Sequence, residues 1–320
     1  MIGVHLLLVA AAVATVAPRV LARAGWGYRS PRLGIAAWYA VLAAVTSAVA
    51  AAVVSLAAPW RRGEAPVCVA WRWCAQAARG EFGLVGRVAA AVILLAGVAL
   101  VGRLVVCGVR LARAGAVRRR EHLHVLALAG RRSAELGATV VECAEPAAYM
   151  LAGRDRRVVV TTGAVDALSA GELAAVLAHE RAHAAGRHDL LLAGVRLLRA
   201  AFPHVVLFAV ARAQLGRLVE LRADDVAVAS HPRISLARAL VAMATHTGAA
   251  ASVVPVGAVA AAGGDAAERL RRLLEPPARL SSLQRAAVAA GIAALALAPA
   301  ALLVAAQVFP VLGMCPALPS

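Results

Sequence analysis

Four long apolar segments dominate the pattern of hydrophobic and polar positions along the chain. A helix needs about 20 predominantly apolar residues to cross a bilayer. Segments near that length cover residues 2–17, 33–58, 84–109 and 286–309, and the stretch between the last two is more polar. The pattern predicts a mainly α-helical four-span protein in which residues 114–282 form a domain inserted between the third and fourth spans.

The first apolar segment has two interpretations, a cleaved signal peptide or a retained membrane helix. A secretory signal normally begins with positive residues, whereas Met1 to His5 contains no arginine and four arginines follow between the first two spans. We interpret residues 2–17 as a retained helix with its N terminus outside. Residues 1–113 then form a three-helix transmembrane region.

The arginines beside the spans predict the orientation, because positive residues are enriched in cytoplasmic loops. Four lie between the first two spans and five between residues 110 and 120, although five more between residues 60 and 87 weaken the contrast. We place residues 114–282 at the cytoplasmic face of a bacterial plasma membrane. Residues 283–320 contribute the fourth span and a short extracytoplasmic tail.

This orientation places three cysteines on the oxidising side of the membrane: Cys68, Cys74 and Cys315. A Cys68–Cys74 disulfide and isolated thiols both agree with the sequence, because Cys315 makes the number odd. No two cysteines have CxxC spacing, so no cysteine metal site is predicted.

Composition supports a membrane protein, since 62% of the chain is hydrophobic. All 34 basic residues are arginine and the net charge is +17. Such a charge can indicate a nucleic-acid partner. Because the arginines cluster beside the apolar spans, we interpret the charge as an orientation signal and predict the lipid bilayer, and no nucleic acid, as a direct partner.

The inserted domain is long enough for a core of its own and mixes helical and strand patterns. Residues 118–136 predict a basic helix that ends at Gly137. Residues 189–215 predict either two core helices or a hairpin that dips into the membrane. The other predicted elements are strands at 138–142, 149–152 and 157–162, helices at 218–229 and 234–246, a loop at 253–264 and a basic amphipathic turn at 268–274.

A capping box marks the start of another helix. Ser169 is followed three residues later by Glu172, a spacing that lets each side chain bond the backbone N–H of the other residue. The apolar positions that follow predict a helix from Ser169 to Gly186. This assignment does not depend on the chemistry of the residues it contains.

Residues 179 to 183 on that helix read His-Glu-Arg-Ala-His. His179 and His183 are four residues apart, so both imidazoles project from one helical face. Two neutral imidazoles leave metal positions open, and Glu180 lies beside them as a carboxylate base, as a zinc hydrolase requires. The alternative is a polar patch on a core helix.

Two carboxylates further along the chain extend this pattern. Glu220 and Asp224 lie four residues apart on one predicted helix. Glu220 can complete a two-histidine, one-carboxylate site for one Zn²⁺ and leave the fourth position to water. Asp224 can accept a hydrogen bond from the other ring nitrogen of a ligand histidine. The alternative is a solvated helix face that pairs with Arg217 or Arg222.

The strand before the motif helix is a candidate for substrate binding. An exposed edge strand can bind a substrate backbone by β-addition, although an ordinary sheet strand explains the same residues. The predicted contacts are Val158, Val159, Val160 and Thr161.

A developing oxyanion also needs a hydrogen-bond donor. Three side chains are candidates for it, each with a purely structural role as the alternative: His204, His231 and Arg222.

The residues His179-Glu180-x-x-His183 and Glu220-x-x-x-Asp224, with the four spans, resemble the integral-membrane gluzincin peptidases. The resemblance is closest to the BlaR/MecR type and includes the related HtpX-type and CAAX prenyl proteases. It implies an α+β zincin-like metallopeptidase domain with His179, His183 and Glu220 as zinc ligands, Glu180 as base and Asp224 in support. The penicillin-binding domain that beta-lactam sensors carry after the last span is not in this sequence, so beta-lactam sensing is not implied.

The predicted function is a membrane-embedded zinc endopeptidase that cleaves a protein substrate, such as a transcriptional repressor, in regulatory antirepressor-like proteolysis. The first alternative is quality control of membrane proteins by an HtpX-type protease. A non-catalytic membrane scaffold is the second. The natural substrate, the activating signal and the oligomeric state do not follow from the sequence.

Overall fold

The structure is a computed structural model that describes residues 2–57, 84–151, 153, 156–246 and 262–308. The chain forms two compact units. One comprises Met1–Gly25, Leu33–Val106 and Leu280–Ser320, and the other comprises Trp26–Arg32 and Cys107–Arg279. Cys68, Cys74 and Cys315 lie outside the described residues, as does most of the loop predicted at 253–264.

Within the described ranges, four helices are long and apolar enough to cross a membrane. They coincide with the four apolar segments of the sequence. They are α1 (Ile2–Arg23), α3 (Pro31–Ala57), the long helix α4 (Leu84–Ala129) and α11 (Ser282–Val308). A short helix, α2 (Gly25–Arg29), lies between α1 and α3 in sequence, and all of it except Gly25 belongs to the second unit.

The second unit contains a four-stranded mixed sheet. Its strands are β1 (Gly130–Ser133), β2 (Ala138–Val141), β3 (Ala148–Leu151) and β4 (Arg157–Thr161). They are ordered β1-β2-β4-β3, with β2 and β4 parallel and the outer pairs antiparallel. Three of the four strands correspond to predicted ones: β2 and β4 carry β-branched residues and β3 carries Tyr149, all of which favour a pleated surface.

The helix predicted at 118–136 is wrong in its last third. The helix ends at Ala129, and Gly130–Ser133 forms β1, which pairs antiparallel with Ala138–Val141. Gly-Arg-Arg-Ser has no strand pattern of its own. Pairing with β2 supplies backbone hydrogen bonds that local propensity does not indicate, so the tertiary context decides the conformation.

Among the described residues, six further helices belong to the unit: α5 (Thr162–Ala167), α6 (Ala170–Ala185), α7 (His188–Ala201), α8 (Val206–Ala227), α9 (Arg233–His246) and α10 (Ala262–Leu274). Residues 189–215 therefore cover α7, the turn after it and the first part of α8. As predicted, the chain continues as helix from residue 218, and α8 ends at Ala227, two residues before the predicted end. The segment 268–274 is the second half of α10. The apolar core joins α6, α9 and α10 to one face of the sheet through residues such as Val160, Val176 and Leu236.

Candidate metal centre

Helix α6 holds both histidines of the motif in fixed positions. Its start is the predicted capping box, which the structure confirms: the Ser169 N–H donates to Glu172 Oε2 at 2.9 Å, and the Glu172 N–H donates to Ser169 Oγ. The helix then places His179, which is buried, and His183, which is partly exposed, on one face.

Helix α8 brings a carboxylate to the same point. His179 Nε2 and His183 Nε2 lie 3.1 Å apart. The two oxygens of Glu220 lie 3.4 Å from them, Oε2 from His179 and Oε1 from His183. The two nitrogens and the carboxylate therefore converge on one point, from helices that are far apart in sequence.

The nitrogen-to-oxygen spacings fit a tetrahedral zinc ion, and the 3.1 Å between the two nitrogens is slightly shorter than such an ion requires. Donors about 2.0–2.1 Å from such an ion lie about 3.3–3.4 Å from one another. The nitrogen-to-oxygen distances of 3.4 Å match that value and exceed normal hydrogen-bond lengths. Two imidazoles and one carboxylate are also a donor set that zinc commonly takes. His179, His183 and Glu220 could therefore hold the ion.

Asp224 and Arg269 support this ligand group from behind. Asp224 Oδ1 accepts a hydrogen bond from His179 Nδ1 at 2.8 Å. Arg269 of α10 donates to both oxygens of Asp224, at 2.8 and 2.9 Å, and its Nη1 lies 3.2 Å from Glu220 Oε2. Asp224 is only 1% exposed. Its charge is thus balanced by Arg269 and directed at His179, whose other ring nitrogen faces the ligand group.

The electrostatics of this group follow from burial and hydrogen bonds. Burial alone would lower the pKa of His179, but the neighbouring carboxylates of Asp224 and Glu220 outweigh it and raise the pKa to about 9. Burial would raise the pKa of Asp224, yet hydrogen bonds from His179 and Arg269 bring it down to about 2. Because a histidine binds a metal ion only through an unprotonated ring nitrogen, protons and a metal ion compete for His179.

Glu180 lies between the ligands and the sheet. Burial raises the pKa of its carboxyl, while the neighbouring histidines and a hydrogen bond from the backbone of Met150 lower it. Met150 belongs to β3, which forms one edge of the described sheet. The carboxylate that is predicted to act as base therefore lies beside a strand edge, next to the metal ligands.

The prediction that the strand before the motif helix is an exposed edge strand is wrong. Val158, Val159, Val160 and Thr161 form most of β4, which pairs with β2 on one side and β3 on the other. Both hydrogen-bonding edges of β4 are therefore occupied. The strand edge near Glu180 is that of β3, which follows β2 in sequence but lies at the border of the sheet.

The three candidates for an oxyanion donor lie in different places. His204 is in the exposed turn before α8, and His231 follows α8 and is hydrogen-bonded to Ser230. Arg222 is two residues after Glu220 on α8, and its charge helps to lower the pKa of His188. None of the three belongs to the ligand group in the described residues, and their roles stay predictions.

Sequence reasoning missed two residues of the site, Arg269 and His188. Arg269 lies 45 residues beyond its partner Asp224, on a helix noticed only for its basic pattern. His188 follows the motif helix directly, and its Nδ1 lies 2.9 Å from Nδ1 of His183. Burial, and then the charge of His183, lower the pKa of His188 to about 4. The position of His188 five residues after His183 was the sequence feature that could have indicated a third histidine near the site.

The fold and this site together define a class, the metallopeptidases that bind their metal with a helical His-Glu-x-x-His segment and a distant glutamate. A family model for peptidase family M48 matches residues 113–277, which is just over half of the chain. The chain belongs to this family. Comparisons with curated proteins and with solved structures gave no match.

Proposed function

We propose that this protein is a zinc-dependent endopeptidase of the BlaR/MecR type, embedded in a bacterial plasma membrane, that cleaves a protein substrate at the cytoplasmic face. The observation that carries the proposal is the convergence of His179, His183 and Glu220, with Glu180 beside them and the edge of β3 adjacent. Membership in family M48 supports the metallopeptidase activity. The proposal adds zinc as the metal, endopeptidase activity and the cytoplasmic position of the domain.

Substrate binding is proposed at the edge of β3. An extended peptide can add to a sheet edge through main-chain hydrogen bonds. Since Met150 of this strand is hydrogen-bonded to Glu180, a peptide paired with β3 lies beside that carboxylate. The substrate thus pairs with the edge that β3 forms in the described sheet and presents its backbone to the site.

In the proposed peptide hydrolysis, the zinc ion and the side chains have separate roles. Zinc, when bound, acidifies a water molecule and polarises the scissile carbonyl. The Glu180 carboxylate accepts the proton of the attacking water and passes it to the leaving nitrogen. Asp224 and Arg269 keep His179 and Glu220 in orientation while this happens. The Glu220 side chain remains about a third exposed, so the ligand group is accessible from solvent.

Zinc binding tests the ligand assignment. We expect the purified, detergent-solubilised chain to contain about one zinc per chain, and Glu220→Ala to lose most of it, because only two imidazoles remain. The measurement is metal content after dialysis against a weak chelator. Glu275→Ala, at an exposed glutamate just beyond α10, is the matched control. Wild-type protein without zinc, or Glu220→Ala with full zinc, would contradict the assignment.

The segment between the first two spans supports the proposed cytoplasmic position of the domain. The Tyr28 carbonyl accepts a hydrogen bond from Arg272 of α10 at 3.2 Å, and Arg29 donates to the carbonyls of Ala278 and Arg279. Residues 26–32 are thus part of the peptidase unit. A connection that carries cytoplasmic-type arginines and the peptidase unit then lie on one side of the membrane.

The same contacts support a regulatory function. The guanidinium of Arg272 lies 5.5 Å from the centre of the Tyr28 ring, and α10 also carries Arg269, which contacts Glu220 and Asp224. A displacement of the segment between the first two spans can therefore act on the ligand group through a single helix. Such a connection between a segment beside the spans and the ligand group is expected of a peptidase whose activity is regulated by a signal.

Comparative proteomics of cells that carry wild-type protein or Glu180→Gln tests regulation against quality control. For regulatory proteolysis we expect one cytoplasmic protein, such as a repressor, to accumulate in the variant, and its intact form to disappear when wild-type protein is restored. Accumulation of many membrane proteins would instead support the quality-control function. An unchanged proteome under all conditions tried would argue against both.

A further inference from the structure

A buried imidazole stands directly behind one of the proposed zinc ligands. His188 is 5% exposed, and its Nδ1 lies 2.9 Å from Nδ1 of His183. The two rings are perpendicular, with centroids 4.8 Å apart. His183 therefore uses both ring nitrogens: Nε2 faces His179 and Glu220, and Nδ1 faces His188.

The backbone after α6 is built for this contact. Gly186 ends the helix in an ordinary helical conformation, with φ −74°, and Arg187 then adopts a left-handed conformation, with φ 49°. This reversal starts α7 at His188 and directs its ring back to His183. Since Gly186 has no unusual φ, its dihedral angles do not explain the glycine.

The lack of space beside His188 explains why position 186 is a glycine. A Cβ atom on Gly186 would lie 2.4 Å from His188 Nε2 and 2.7 Å from His188 Cδ2. Such distances are shorter than real Cβ contacts, so a side chain at position 186 would displace the imidazole of His188 from its present position. The short helix end and the buried histidine therefore depend on each other.

Hydrogen-bond chemistry fixes the direction of this contact. A bond between two ring nitrogens needs one donor and one acceptor. If His183 is to ligate through Nε2, its proton must be on Nδ1, so His183 donates and His188 Nδ1 accepts. The opposite direction would leave the proton of His183 on the nitrogen that faces Glu220, where it blocks metal binding.

We infer that His188 is a positioning residue for the zinc ligand His183, a neutral acceptor that holds the ligand in its metal-binding tautomer and orientation. The inference rests on the proposed zinc site. It makes the two histidine ligands unequal, because His179 is supported by the carboxylate of Asp224 and His183 by an uncharged ring. An uncharged partner donates less electron density to its ligand than a carboxylate does, so the metal keeps more of its Lewis acidity.

Three substitutions of His188 separate hydrogen bonding from packing. His188→Leu removes the acceptor and keeps an apolar side chain, whereas His188→Asn places an amide oxygen where Nδ1 was. His188→Asp places a charged acceptor there. We expect His188→Leu to bind zinc about 10- to 100-fold more weakly than wild type. The zinc affinity of His188→Asn should stay within about threefold of wild type, and His188→Asp should bind zinc about tenfold more tightly than His188→Asn.

The measurement is zinc affinity by competition with a chromophoric chelator, on the detergent-solubilised full chain. His124→Leu, at an exposed histidine of α4, is the control. Gly186→Ala should reproduce the loss seen with Leu, while Gly171→Ala, whose Cβ would meet no atom closer than 4.0 Å, should not. Thermal unfolding of the zinc-free proteins shows which variants fold.

The outcomes are separable. If wild-type protein binds no zinc, the proposed function fails and this inference fails with it. If wild-type protein binds zinc and a folded His188→Leu binds it equally well, only the positioning role of His188 is overturned. If His188→Leu does not fold, equal zinc affinities of the Asn and Asp variants overturn it instead.

Discussion

Replacing Glu180 with glutamine is expected to lower kcat/KM for peptide hydrolysis by about 10³-fold, a typical loss when a proton-transfer group is removed. Glutamine keeps the shape of the side chain and can still accept the hydrogen bond from the backbone of Met150. It cannot take a proton from water. The zinc content should therefore remain at the wild-type level while turnover is lost.

The measurement is the initial rate of cleavage of a peptide or protein substrate by solubilised wild-type and variant enzyme, with zinc content determined on the same samples. Glu142→Gln is a suitable control, because Glu142 follows β2 and its side chain is 77% exposed in an ion pair with Arg131. Equal rates for Glu180→Gln and wild type would show that Glu180 is not the base. A variant that is inactive and also free of zinc would show that Glu180 is needed for metal binding instead.

Local sequence signals predicted the elements that depend on local physics. The capping box at Ser169 and Glu172 needs only residues three positions apart, and the helix it starts is present as predicted. The four apolar segments are also present as helices, because their length and composition alone favour that structure. The helical spacing of His179 and His183 likewise indicated that both rings share a face.

The first strand and the order of the strands in the sheet could not be predicted from local sequence, because they depend on pairing between separate segments. The strand β1 forms because Gly130–Ser133 pairs with β2, and its sequence carries no strand pattern. The position of β4 inside the sheet follows from its parallel pairing with β2 and antiparallel pairing with β3. The order of strands is a property of the whole domain, so sequence position next to the motif helix was a poor guide to which strand forms an edge.

The support of the metal ligands was equally hard to foresee. Arg269 approaches Glu220 and Asp224 from another helix, and in sequence it is one arginine among 34 basic residues. Its neighbours on α10 make similar contacts, since Glu268 pairs with Arg217 and Arg272 with Asp225. Only the packing of α10 on α8 shows that Arg269 is the arginine that reaches the site.

Replacing Arg269 with methionine is expected to destabilise the protein by about 3–5 kcal/mol, the usual cost of removing one partner from a buried ion pair. Asp224 would keep its charge and its bond to His179 but lose two hydrogen bonds in a position that water does not reach. For a unit of this size each kcal/mol changes Tm by about 2–4 °C, so Tm should fall by about 6–20 °C. Arg269→Lys should recover little of this, because an ammonium group cannot donate to both carboxylate oxygens in the geometry of a guanidinium.

Thermal unfolding in one detergent and at one scan rate checks this expectation. Arg271→Met is the matched control, because Arg271 lies on the exposed side of the same helix, and its Tm should stay close to wild type. Asp224→Asn should cost less stability in the Arg269→Met background than in wild type, since the charge that Arg269 neutralises is then already unpaired. If Arg269→Met and Arg271→Met unfold at the same temperature, the contacts of Arg269 with α8 do not stabilise the protein. The proposed action of the segment around Tyr28 on Glu220 through α10 then has no physical support.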